Sequence, residues 1–149
     1  MSPEAFKILL VEDNPDDEAL TLRALKKNHI LNGIVVVRDG AEALDYLFGT
    51  GTHAGRDTSN VPQVVLLDIN LPKYSGIEVL KRIRENAALQ TLPVVMLTTS
   101  GEDSDISACY ELGANSFIRK PVDFEQFIES VRQIGMYWLV LNTPPAVCR

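Results

Sequence analysis

Short apolar runs recur along this chain, and stretches with helical spacing separate them. The runs are Phe6 to Val11, Ile34 to Val37, Val64 to Leu67, Pro93 to Leu97 and Ser116 to Arg119. Several are unbroken and rich in β-branched residues, the pattern of strands buried on both faces. Between them lie amphipathic stretches. Asn14-Pro15 opens one that reaches Asn28, since proline fits the first helical turn. Gly40 to Phe48 is the second, with Ala41, Leu44, Leu47 and Phe48 at helical spacing. Ser75-Gly76 opens the third, with Ile77, Leu80 and Ile83 on one face. Ser104 to Leu112 is the fourth, ended by Gly113. Asp123 caps a fifth that runs to about Leu141, where Asn142-Thr143-Pro144-Pro145 stops it. Five strands alternating with five helices predict an α/β fold, a parallel sheet covered on both faces.

The ends of these strands carry the chemistry. Val64-Val65-Leu66-Leu67 delivers Asp68, followed by Ile69-Asn70-Leu71-Pro72. The first strand delivers Glu12 and Asp13, and the fourth delivers Thr98 and Thr99. In open α/β sheets ligands bind beyond the carboxyl ends of the strands. Three acids and two hydroxyls are therefore expected on one rim. An acid pair after a strand also suits the positive end of a helix dipole.

Composition narrows the class. The 149 residues are one domain by length, with no internal repeat. A net charge of -6 argues against a nucleic-acid partner, which needs a basic surface. No apolar run approaches ~18 residues, so no membrane span is expected. Met1-Ser2-Pro3-Glu4 lacks the regions of a signal peptide. Cys109 and Cys148 suggest no disulfide framework. A cytoplasmic protein is expected.

Together these residues give a resemblance. Glu12-Asp13, Asp68 with Asn70 and Pro72, Thr98-Thr99-Ser100 and Lys120-Pro121 stand in the order and at the strand ends found in receiver domains of two-component response regulators. Gly76 and Gly113-Ala114 match as well. The resemblance spans about residues 6 to 134, with an extended fifth helix and tail over 135–149 and no output domain. The loop Gly49 to Gln63 and the Tyr137-Trp138-Leu139 tail are similar to small single-domain regulators paired with bacterial phytochromes.

The resemblance implies a doubly wound (βα)5, flavodoxin-like sheet of order 2-1-3-4-5. It implies that Asp68 accepts a phosphoryl group from a sensor histidine kinase, of phytochrome type, and that the chain catalyses only its own phosphotransfer and dephosphorylation. Mg²⁺ would be held directly by Asp13, Asp68 and the Asn70 carbonyl, with Glu12 acting through water. Lys120, before a cis proline bond, would offset phosphoryl charge, and Thr98 would donate its hydroxyl to a phosphoryl oxygen. Phe117 stands where many receivers carry an aromatic that moves inward on activation, so Thr98 and Phe117 form the expected switch. A carboxylate attacking an anion needs such positioning and neutralisation. Without a cation, two of these acids ~4 Å apart would repel by about 4 kcal/mol at an effective dielectric of about 20.

Most of the fifth helix is amphipathic, but Met136 to Leu141 is apolar all round. One domain covers only one side of that turn. A homodimer is expected through the face made by the fourth helix, fifth strand and fifth helix, with Phe127, Met136, Tyr137, Trp138 and Val140 at the partner surface. A tail folded back on its own domain is the alternative. The sequence is also compatible with two rival functions. One is a phosphorylation-independent docking module of the same fold. The other is a small-molecule hydrolase using an aspartyl-phosphate, for which Gly49 to Gln63 is the one spare segment that could form a cap.

Overall fold

A computed structural model describes residues 7–26, 33–98 and 103–133. Five parallel strands form one sheet in the order β2-β1-β3-β4-β5. They are β1 (Ile8–Val11), β2 (Ile34–Val37), β3 (Val64–Asp68), β4 (Val94–Thr98) and β5 (Ser116–Arg119). The helices are α1 (Pro15–Lys26), α2 (Gly40–Phe48), α3 (Gly76–Glu85), α4 (Asp103–Glu111) and α5 (Phe124–Gln133). Expected and observed elements agree to within a residue or two over most of the described chain. The continuation of α5 toward Leu141 lies outside it.

The unbroken apolar runs serve two cores because side chains alternate across a strand. Leu9, Val11, Val65, Leu67 and Met96 point to one side, against Leu44 and Leu47 of α2 and Val79, Leu80 and Ile83 of α3. Ile8, Leu10, Leu66, Val95, Leu97 and Ile118 point to the other, against Leu25 of α1 and Phe127 and Ile128 of α5. Cys109 is completely buried in the first of these cores, as a packed thiol.

Helix ends are built as the sequence suggests. Asp39 and Ser75 accept hydrogen bonds from the Glu42 and Glu78 amides and cap α2 and α3. Asp123 does the same for α5 through the Gln126 amide. Gly113 closes α4 with a φ of +97°, a conformation that favours glycine. Among the described residues no helix is long and apolar enough to cross a membrane.

The loop between α2 and β3 is more ordered than its polar, glycine-rich composition suggests. Arg56 stacks on the Tyr46 ring at 4.0 Å and donates to the Tyr46 carbonyl at 2.6 Å. It also donates to the Asn60 carbonyl at 3.1 Å. This fastens the loop to the far end of α2, at the amino ends of the strands. It is therefore on the opposite rim from Asp68 and forms no cap over it.

Candidate functional site

Strand register assembles the site. Val11 pairs with Leu67, so Glu12 and Asp68 leave neighbouring strands at the same level. Asp68 pairs with Leu97, and Thr98 pairs with Arg119, which puts Lys120 one step above Thr98. Glu12, Asp68 and Lys120 also share the parity of Leu10, Leu66 and Ile118. Their side chains therefore lean toward the face that α1 covers.

The expected residues do converge. Glu12, Asp13 and Asp68 each offer a carboxylate oxygen, and these oxygens lie within 4.8 Å of one another. Glu12 and Asp68 are buried, while Asp13 is exposed at the mouth. The Asn70 amide donates to Asp68 Oδ1 at 3.1 Å, so the start of the following loop is drawn over the carboxylate. α3 begins hard against this loop: a Cβ at Gly76 would collide with the Asp68 carbonyl. The Lys120-Pro121 bond is cis. Thr98 is largely buried at the end of β4.

Lys120 reaches into the middle of the acids. Its Nζ lies 2.9 Å from Asp68 Oδ2, 3.1 Å from Glu12 Oε1 and 2.8 Å from Asp17 Oδ2. The resemblance implies only that this lysine offsets phosphoryl charge, which leaves the acids uncompensated without a metal. In the fold the ammonium already neutralises part of the cluster. The compensation is incomplete. Burial, then the hydrogen bond and charge of Asp68, push the Glu12 carboxyl up to about 7 despite the opposing pull of Lys120. Burial disfavours the Lys120 ammonium, but its bonds to Asp17, Asp68 and Glu12 outweigh that and hold its pKa above the ordinary value.

Asn14 and Asp17 were missed as site residues. Asn14 donates its amide to Glu12 Oε2 at 3.2 Å. Its side chain accepts from the amides of Asp16 at 2.8 Å and Asp17 at 3.1 Å, capping α1. With Asn14 as cap and Pro15 first in the helix, Asp17 is third. Side chains lean toward a helix amino terminus, so this position returns to the strand ends. The order Asn-Pro-Asp-Asp carried that signal.

Phe117 is half-buried against the α2–α3 core, and its ring lies 4.7 Å from that of exposed Tyr110 on α4. Phe127 corrects the expected partner surface. It is completely buried among Leu10, Leu66, Val95 and Ile118, on the inner stripe of α5, and offers nothing to a second molecule. Met136, Tyr137, Trp138 and Val140, like Thr99, lie outside the described residues.

Chemically, the cluster presents hard oxygen donors around a small space beside an ammonium. That donor set suits a divalent oxygen-loving cation, and the lysine suits an anion brought to Asp68.

Known proteins resemble this chain. The model of the response regulator receiver domain matches residues 8–132. A probable methanogenesis regulatory protein, FilR2 of Methanothrix harundinacea, is 42% identical over 95% of this chain and 89% of its own. Response regulator Rcp1 of Synechocystis is 39% identical over 93% of this chain and 92% of its own. Its Mn(2+)-bound crystal structure has a TM-score of 0.74 and covers 94% of this chain and 99% of that one. The bacteriophytochrome response regulator RtBRR has a TM-score of 0.83 at 49% identity, covering 94% of this chain and 84% of that one.

Proposed function

Because the chain belongs to the response regulator receiver domain family, we propose that it is a phosphoacceptor switch in which Asp68 is the acceptor. The observation that carries this reading is the Lys120 ammonium, 2.9 Å from Asp68 Oδ2, inside a trio of acids able to hold a cation.

The donor is a phosphohistidine of a sensor kinase. One Asp68 oxygen forms the new bond to phosphorus as the phosphorus–nitrogen bond breaks, and its electron pair stays on the imidazole. Lys120 offsets the charge of the transferring group, and Thr98 donates its hydroxyl to one of its oxygens. Asp13, Asp68 and the Asn70 carbonyl would hold Mg²⁺ directly, with Glu12 acting through water, and the bound cation would supply the remaining charge neutralisation. The chain catalyses this transfer to itself and the later hydrolysis, and acts on no other substrate.

The 49% identity to RtBRR supports a phytochrome-type kinase as the partner. Phosphorylation adds roughly two negative charges at the rim. Thr98 and Phe117 respond by repacking, since Phe117 has no hydroxyl to bond. The α4–β5–α5 face is the output surface, and it forms a homodimer with the apolar Met136, Tyr137, Trp138 and Val140. The protein works in the cytoplasm.

Beryllofluoride with Mg²⁺ tests the reading, because it mimics a phosphoryl group on a carboxylate. The Thr98, Phe117 and Lys120 amide resonances should shift together in the wild type and stay fixed in Asp68→Asn. Resonances unmoved in the wild type would overturn it.

A further inference from the structure

Lys120 has three N–H bonds to donate. Three carboxylates stand around it, those of Asp17, Asp68 and Glu12. Glu12 and Asp68 belong to the acid trio that can hold a cation, and Asp17 does not. A dication held by that trio draws lone pairs from two of the lysine's partners. It also sets like charge beside the ammonium, which repels it. Asp17 is the partner that keeps its negative charge for Lys120. Asn14 ties the start of its helix to the site: the Asn14 side chain accepts from the Asp17 amide, and the Asn14 amide donates to Glu12.

We propose that Asp17 is a positioning residue that retains the Lys120 ammonium at the rim when a divalent cation claims Glu12 and Asp68. The lysine then remains aimed at the incoming phosphoryl group. This rests on the phosphoacceptor reading. Asp16 supplies an internal control. It has the same charge in the same turn, but it is exposed and its carboxylate makes none of the three contacts to Lys120.

The experiment compares wild type, Asp17→Asn, Asp17→Ser and Asp16→Asn. Asp17→Ser keeps a residue type common at helix starts, in case the amide disturbs folding. The first readout needs no phosphodonor. The Lys120 Cε methylene resonance, assigned by its loss in Lys120→Arg, is followed through a Mg²⁺ titration. At saturation it should stay dispersed in wild type and Asp16→Asn, and collapse to the position of mobile lysines in both Asp17 variants. The second readout is the rate of phosphate uptake from acetyl phosphate at saturating Mg²⁺. It should fall about tenfold in the Asp17 variants alone, the scale expected for a misplaced charged group. An Asp17 variant whose Lys120 resonance stays dispersed, or whose rate is within about twofold of wild type, overturns the proposal. So does an equal loss in Asp16→Asn. A wild type that takes up no phosphate overturns instead the reading on which it rests.

Discussion

The Thr98 carbonyl accepts a hydrogen bond from the Lys120 amide at 2.7 Å. The two residues proposed to answer phosphoryl charge are thus tied through their backbones. Thr98 also pairs with Arg119, two residues from Phe117 on β5. Removing the Thr98 hydroxyl leaves this backbone link intact. Thr98→Ala should therefore fold normally and slow phosphate uptake about tenfold, while Thr98→Ser restores most of the rate. Rates from intact-mass time courses check this.

Lys120 is the counter-charge of a buried cluster. Replacing it by methionine leaves Glu12 and Asp68 facing each other without it. Removing one partner of a buried ion pair costs about 3 kcal/mol or more. Urea unfolding in chelator at pH 8 should show a loss of that size for Lys120→Met. At pH 5, where Glu12 is protonated in the fold, the loss should be clearly smaller.

Glu12 makes stability depend on pH. Its ordinary value is 4.5, and in the fold it is pushed up to about 7. Between those values the native state holds a proton that the unfolded chain has released. Stability therefore falls as pH rises through that window, by on the order of 3 kcal/mol. Unfolding midpoints of the metal-free protein should drop from pH 5 to pH 8, and Glu12→Gln should flatten the profile. Mg²⁺ acts in the opposite sense because it binds the ionised form. At ten times its dissociation constant it should add about 1.4 kcal/mol at pH 8, and much less in Asp13→Asn.

The proposed homodimer rests on the apolar tail. Light scattering should show a dimer of the wild type with beryllofluoride and Mg²⁺, and a monomer when Tyr137 and Trp138 are both changed to serine. Phe127 belongs to a different experiment: its substitution should lower stability through the core it fills.

Much of this was legible in the sequence because unbroken apolar strands leave few topologies and their ends name the rim. Asp68, Glu12 and Thr98 are legible from their positions at strand ends, and Lys120 through the resemblance. Asp17 and Asn14 were not, because an acid in a first helical turn is explained well enough by the helix dipole. Its contact with Lys120 spans most of the chain and depends on how α1 packs. Phe127 was misread for a related reason. A helical stripe states that a face is apolar, but only packing decides whether that face meets its own sheet or another molecule. The order of the loop Gly49 to Gln63 is not legible, because a composition rich in glycine and polar residues hides contacts such as those of Arg56 that fasten it.

The most direct test of the central claim is the intact mass of the protein after incubation with acetyl phosphate and Mg²⁺. The wild type should gain the mass of one phosphate, the gain should need the cation, and Asp68→Asn should gain none. A wild type that stays at its starting mass, or an Asp68→Asn protein that is phosphorylated equally, would contradict the account.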